Sequence, residues 1–302
     1  MADAIVWIQP KKHWILMIDL NLLKDLYKIN SYSGEEEKIR QFLLSYLKKH
    51  YTGLKIRVDK IGNIYVTKGK AKQYSVIASH IDQVGKYKGK IFIFRHNNIM
   101  IGIGEHGQQV NLGADDKNGV WIALQMLKYE PVLKCVFFVG EEVGCVGSSS
   151  CDMSFFDNAK YVIQCDRRNG GDFINETYST ELCGDDFVSA ELKAKYGYKN
   201  TYGMMTDVET LKERGLKVAC CNMSCGYYNP HHDNEFTNVK ELINCLNFVR
   251  EIVRVTPLVK HEDRGVYSKM GGHKSYGSYY GYPYCGRGLA NYSDYYGWDI
   301  YD

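Results

Sequence analysis

Nothing in this 302-residue chain offers a CxxC pair, an internal repeat of 20–50 residues, or a concentrated block of charge. Nor does any apolar run reach the roughly 18 residues that a membrane span needs. Each absence closes a class. With a net charge of only +3 and its lysines dispersed, the chain gives no electrostatic case for nucleic acid. Without repeats it is not a solenoid or propeller. The opening "MADAIVWIQPKKHWILMIDL" has two short apolar patches broken by Pro10, Lys11 and Lys12, so no signal peptide is expected. Ten cysteines are present. Cys135, Cys165, Cys220 and Cys221 sit in apolar, β-branched runs, and adjacent cysteines pair poorly. The expectation is free thiols acting as small hydrophobes in a reducing, cytoplasmic setting.

What is there is a core and a rhythm. The hydrophobic share of 45% is enough for one large domain or two small ones. Residues 20–50 carry two helical patterns. In the second, Ile39, Phe42, Leu43, Tyr46 and Leu47 recur at helical spacing behind Ser33 and an acidic start at Glu35–Glu37. "LKIRVDKIGNIYVTKG" (54–69) reads as a hairpin turning at Gly62-Asn63. Apolar strands then alternate with helices: "YSVIASH" (74–80), "GVWIALQMLKY" (119–129), "KCVFFVGEE" (134–142), "KYVIQCD" (160–166), "MTDVETLKERG" (205–215), "LKVACCNMSCG" (216–226) and "NVKELINCLNFVREIVRV" (238–255). Thr206 and Glu209 are spaced as a capping box. Apolar strands without alternation, separated by helices, predict an α/β sheet covered on both faces. From about residue 264 the chain becomes rich in Tyr, Gly and Ser without period. The expected organisation is an N-terminal extension (1–18), one α/β domain (19–260) and a low-complexity, disordered tail (261–302).

The strands end in chemistry. "YSVIASH" runs into His80 and Asp82, "CVFFVG" into Glu141-Glu142, "YVIQC" into Asp166, and the strand near Cys225 into "YYNPHHDNE". "GADDKNG" places Asp115 and Asp116 before a helix, where they would also serve as ordinary cap residues. In open α/β sheets, ligands bind at the carboxyl ends of strands, so these groups converge. Several buried carboxylates together are strongly unfavourable unless cations neutralise them. With imidazoles among them, the natural partner is Zn²⁺ or a similar divalent ion, and the number of ligands suits a two-metal site. Which of His231 and His232 takes part is open at this level.

The motifs "LLKDLYKINSYSGEEEKIRQFL", "DKIGNIYVTKG", "SHIDQVG", "GADDKNG", "GEEVGCVGS", "CD", "TDVETLKERG" and "HHDNE", in this order from about Leu22 to Val255, resemble the di-zinc exopeptidases that include peptidase T, aminoacylase and succinyl-diaminopimelate desuccinylase. "GADDKNG" and "GEEVG" are nearest to peptidase T. The resemblance implies a three-layer α/β/α fold with a central mixed, mostly parallel twisted sheet. It implies two divalent ions, Zn²⁺ before Co²⁺ or Mn²⁺. His80 and Asp166 would hold one ion, Glu142 and His231 the other, with Asp115 bridging. His231 is chosen because the family's last ligand sits four residues before a Glu, here Glu235. Asp82 would orient His80, and Glu141 would act as general base.

The chain departs from that family in one place. Only about 40 residues separate Asp166 from Asp207, too few for the lid domain usual there. No histidine lies between His106 and His231 to supply the lid's oxyanion donor. A Tyr, Arg167, Arg168, His232 or the metals are the candidates to replace it. A monomer or a lid-independent oligomer is expected. Asp172, Asp185 and Asp186 are candidates to meet a substrate amine; His232, Arg167 and Asp172 are the weaker substrate-contact expectations. The expected function is a cytoplasmic metallopeptidase acting on short peptides, as an aminopeptidase or di/tripeptidase. An N-acyl amino acid amidohydrolase with the same site is the alternative, and a non-catalytic binding protein using the Tyr-rich tail is the second. No nucleic acid or membrane partner is expected.

Overall fold

The computed structural model describes residues 18–262. The expected N-terminal extension and Tyr/Gly-rich tail lie outside the described residues, but for Ile18, His261 and Glu262. In chain order the helices are α1 (Leu20–Tyr27), α2 (Glu37–His50), α3 (Ala114–Tyr129), α4 (Val146–Ser149), α5 (Ala190–Lys195), α6 (Asp207–Glu213) and α7 (Val239–Val255). The strands are β1 (Leu54–Val58), β2 (Ile64–Lys68), β3 (Tyr74–His80), β4 (Phe92–His96), β5 (Ile99–Ile103), β6 (Gln109–Val110), β7 (Leu133–Phe138), β8 (Ala159–Arg167), β9 (Asp172–Thr177), β10 (Lys199–Gly203), β11 (Cys220–Ser224), β12 (Tyr227–Tyr228) and β13 (Phe236–Asn238).

The expected three-layer α/β/α architecture with a mixed central sheet is the fold observed. Eight strands form this sheet in the order β1-β2-β7-β3-β8-β11-β9-β10. The central run β7-β3-β8-β11 is parallel throughout. β2 meets β7, and β9 meets β11, in antiparallel fashion. Strand period sorts the central side chains between two cores. Ile77, Cys135, Phe137, Tyr161 and Ile163 face the α1, α2, α3 and α7 layer. Val76, Ala78, Val136, Phe138 and Val162 face the α4 and α6 layer. Burial on both faces is why these strands read as unbroken apolar runs. Helix α3 runs behind the sheet with its side chains buried from Ala114 to Leu127, including Trp121 at 0% exposure. Each large apolar side chain so buried contributes about 1.5–3 kcal/mol.

Three local expectations are corrected. Thr206 is the N-cap of α6 but makes no capping bond; its hydroxyl donates to Gln164 Oε1 instead, at 2.8 Å. Glu209, its expected reciprocal partner, accepts from the hydroxyls of Thr177 and Ser179. Tertiary partners take both halves of the capping box. Helix α2 begins behind Glu36 rather than Ser33, whose hydroxyl donates to Asp82 Oδ2 at 2.7 Å. Asp115 and Asp116 do not cap α3 either. The N-cap is Gly113, in left-handed conformation at φ 61°, and both aspartates have non-helical backbone, joined by a cis peptide bond.

Two regions without an assigned element in the sequence reading prove structured. A second sheet, β12-β13-β5-β4 with β6 paired to β5, is built from two segments within the domain, 92–110 and 227–238. Residues 172–203, which span much of the short Asp166–Asp207 interval, add β9 and β10 to the edge of the main sheet. The nine cysteines among the described residues are buried and unpaired, as the apolar runs predicted. No helix among the described residues is long and apolar enough to cross a membrane.

Candidate metal centre

The parallel run fixes where the chemistry goes. His80 is the last residue of β3, Asp166 lies near the end of β8, and the Glu141-Glu142 turn follows β7. Because these strands are parallel, all three deliver their polar groups to one edge. The loop between β12 and β13 brings His231 to the same edge, and the start of α3 brings Asp115.

The distances are short. His80 Nε2 lies 3.2 Å from Asp115 Oδ1 and 3.5 Å from Asp166 Oδ1. His231 Nε2 lies 3.2 Å from Asp115 Oδ2 and 3.0 Å from Glu142 Oε2. One carboxylate, Asp115, therefore shows one oxygen to each histidine. Glu141 stands slightly back, with Oε2 at 3.9 Å from His80 Nε2. Asp116 is also close to His80 and Asp166. Its carboxylate, however, is engaged by backbone amides, Oδ2 accepting from His80 at 3.2 Å and Oδ1 from Gly119 at 3.0 Å. Asp115, not Asp116, is the acid aimed at both imidazoles.

The surrounding shell holds these groups in place. Asp82 accepts from the amides of Glu141 (3.0 Å) and Glu142 (3.2 Å) and lies 3.4 Å from His80 Nδ1. Glu235, fully buried, accepts from the amides of Leu112, Ala114 and Asp115. Lys117 Nζ donates to the carbonyls of Ile29 (2.6 Å) and Leu112 (3.2 Å) and to Gln83 Oε1. Burial draws the Lys117 ammonium down to about 7, with Glu235 opposing. Tyr227, buried, places its hydroxyl 3.4 Å from Asp166 Oδ1. His231 holds left-handed backbone at φ 67°, a conformation costing about 1–2 kcal/mol for a residue with a Cβ.

The electrostatics describe a deficit of positive charge. Burial, then neighbouring carboxylates, raises Glu141 and Asp166 well above the ordinary carboxylate range. Glu142 is raised by burial and by Asp115. Burial works to lower the histidines, but the acids around them win. His80 is raised well above its usual value by Asp166, Asp115 and Asp82, and His231 is pushed up to about 11 by Asp115 and Glu142. Carboxylates and imidazoles packed so closely form an environment that a bound cation would neutralise.

Divalent ions fit this donor set. Imidazole and carboxylate ligands at about 2.0–2.2 Å from a four-coordinate ion stand roughly 3.4 Å from one another, and the pairs above span 3.0–3.5 Å. His231 Nε2 is buried and makes no hydrogen bond despite two carboxylate oxygens so near. A buried nitrogen without a hydrogen bond, beside two carboxylate oxygens, is what a site built for a cation would present.

The weaker expectations fall elsewhere. His232 is exposed, with Nδ1 2.7 Å from the Pro230 carbonyl. Arg167 and Asp172 pair with each other, Nε to Oδ2 at 3.3 Å. Asp185 and Asp186 are exposed, and Asp185 accepts from Asn200 at 3.2 Å. Sequence reasoning used Glu235 only as a spacing marker and passed over Gln164 and Tyr227. A glutamine inside the apolar run "YVIQC" was a usable signal, since a buried amide must find partners.

No family model matches the chain. Solved structures share its fold. A tripeptidase from Staphylococcus aureus aligns with a TM-score of 0.65 at 14% identity, over 78% of this chain and 97% of that one. The aminopeptidase PepT of Bacillus cereus aligns at 0.62 and 15%, over 78% and 96%. An aminopeptidase from the archaeon Desulfurococcus kamchatkensis aligns at 0.60 and 16%, over 78% and 94%. At these identities the likeness is one of fold.

Proposed function

We propose that this chain is a two-metal peptidase of the di-zinc exopeptidase type, removing residues from short peptides. The observation that carries the reading is Asp115, whose two oxygens face His80 and His231 at 3.2 Å each. A carboxylate so shared is what a pair of ions roughly 3.5–4 Å apart requires. His80 and Asp166 would hold one ion, His231 and Glu142 the other, with Asp115 shared between them. The peptidase activities named for the fold's neighbours favour a peptide over an N-acyl amino acid as substrate.

When bound, the ions supply Lewis-acid polarisation of the scissile carbonyl and acidify a water. The chain's own residues do the rest. Glu141 is half-buried, stands 3.9 Å off His80 Nε2, and has its pKa raised by burial, the direction that suits a group taking a proton and giving it up again to the leaving amine. Cys145 Sγ donates to Glu141 Oε1 at 3.9 Å, which leaves Oε2 turned toward His80. Asp82 keeps the His80 ring oriented through Nδ1 and pins the turn that separates Glu141 from Glu142. The catalytic unit is a single domain over 19–260, working in the cytoplasm without a lid, and the tail is dispensable for hydrolysis.

The test is metal content with turnover. The purified chain is expected to carry close to two zinc-type ions and to cleave members of a dipeptide and tripeptide panel. Glu141→Gln is expected to keep both ions and to lose turnover by about 10²–10⁴-fold. A wild-type chain without metal and without chelator-sensitive cleavage refutes the reading.

A further inference from the structure

Asp166 is not left to find its own orientation. Its main chain is clamped by Asn222 of β11, which accepts from the Asp166 amide and donates to its carbonyl, both at 2.9 Å. Its carboxylate is held by Gln164. Residues two apart on a strand point to the same face, so the Gln164 amide lies directly beneath the Asp166 carboxylate. Gln164 has 0% exposure, and every hydrogen-bonding function of its amide is used. Nε2 donates to Asp166 Oδ2 at 3.0 Å and to Asp207 Oδ2 at 3.2 Å. Oε1 accepts from the Thr206 hydroxyl at 2.8 Å and the Val208 amide at 3.1 Å. The amide cannot turn over, because its donors and acceptors would then all be mismatched.

The far end of this network is equally fixed. Asp207 accepts from the Ser148 hydroxyl at 2.6 Å, and Ser148 belongs to α4, which follows the Glu141-Glu142 turn. Arg214, beyond the end of α6, donates to the Ser148 carbonyl at 2.8 Å. Thr206 also accepts from Asn222 Nδ2 at 3.2 Å, so the carboxylate clamp and the main-chain clamp meet at the start of α6. With Oδ2 of Asp166 occupied by Gln164, Oδ1 is the oxygen left to face His80, as the 3.5 Å separation records.

We infer that Gln164, locked by Thr206, Asp207 and Val208 at the start of α6, is a positioning residue that aims Asp166. The metal position built on His80 and Asp166 depends on it; the position built on Glu142 and His231 does not, since no hydrogen bond of Gln164 reaches either residue. The inference rests on the two-metal reading above. It predicts that the two sites are separable: damage at the start of α6 empties one of them.

The experiment is a chelator-competition titration of the full chain with Zn²⁺, which reads binding rather than turnover. Wild type is expected to bind two equivalents tightly; a wild type that binds none sinks the two-metal reading itself, before any variant is compared. Gln164→Met, similar in size but without the amide, is expected to weaken one equivalent roughly 10–100-fold and leave the other unchanged. Asp207→Asn, which still accepts from Gln164 Nε2, is expected to keep both. Should Gln164→Met fail to fold, Thr206→Val removes one bond to the same amide and is expected to weaken the same equivalent by a smaller factor. With wild type binding two ions, unchanged affinities in Gln164→Met, or equal loss of both equivalents, overturn the inference. Loss in Asp207→Asn as large as in Gln164→Met overturns its hydrogen-bond basis.

Discussion

Replacing Glu235 by Gln tests whether the Asp115 loop is held by a single buried side chain. Glu235 Oε2 accepts from the amides of Leu112 at 2.9 Å and Ala114 at 3.1 Å, and Oε1 accepts from Asp115 at 3.2 Å. Glutamine keeps only one acceptor oxygen. Its best orientation preserves the Leu112 and Ala114 bonds and turns its NH₂ toward the Asp115 amide, setting donor against donor. A buried donor left without a partner costs about 1–3 kcal/mol, equivalent to a fall in Tm of about 2–12 °C for a domain of this size. The loop must move to relieve the clash, and Asp115 moves with it. Because Asp115 faces both histidines, both zinc equivalents are expected to weaken together, unlike the one-sided loss expected of Gln164→Met. Thermal unfolding of the chelator-treated protein and a zinc titration of the same sample read the two effects. An Glu235→Gln protein with wild-type Tm and two wild-type affinities refutes the reasoning.

Two further outcomes follow from the same geometry. His231→Ala is expected to remove one zinc equivalent and His232→Ala to retain both, because His231 Nε2 sits between Asp115 and Glu142 while His232 is exposed and bonded to Pro230; equal behaviour of the two variants in metal analysis contradicts the ligand choice. Chelator-treated protein is expected to lose stability as pH rises from about 4 to 6. Burial pushes Asp207 up to about 6, so the folded chain holds a proton that the unfolded chain, with an ordinary carboxylate, releases near pH 4. Its stabilisation is complete below the unfolded value and is lost as pH passes the folded one. Denaturant midpoints that stay level or climb across this range contradict it.

Much of the central sheet was legible because β3, β7 and β8 are buried on both faces, which leaves no period to misread. The second sheet was not. Its strand β4 alternates between exposed and half-buried positions, β5 is interrupted by Gly102, and β6 and β12 are two residues each. Such short strands exist only because partners distant in sequence pair with them, as Phe236 does with Ile101. Of the candidate site, His80, Asp166 and the Glu141-Glu142 pair were visible at strand ends, since parallel strands must release their last residues on one side. What could not be read was the allocation of side chains already credited with local work. Ser33, Thr206 and Glu209 all fit helix-start patterns, yet Ser33 and Thr206 donate to tertiary partners and Glu209 accepts from one. Local patterns state what a side chain can do nearby; burial decides what it must do instead.

Asp82 shows how the site becomes one object. The Glu141-Glu142 turn could close in several ways, and two adjacent carboxylates repel. Asp82 Oδ1 takes the Glu141 amide and Oδ2 takes the Glu142 amide, so both residues of the turn are fixed by the same anion. The Ser33 hydroxyl adds a bond to Oδ2, and His80 Nδ1 lies 3.1 Å from the Asp82 carbonyl and 3.4 Å from Oδ1. Burial disfavours the anion, but His80, Ser33 and the Glu141 amide more than compensate, and the Asp82 pKa falls below the ordinary value. The Asp82 carbonyl and its ionised carboxylate both favour a proton on Nδ1 of His80, so Nε2 is the nitrogen that would offer its lone pair to a cation. The same charge that selects this tautomer also orients the turn carrying Glu141 and Glu142. Imidazole orientation and the separation of the two glutamates are therefore not independent, and a change at Asp82 is felt at His80, Glu141 and Glu142 together.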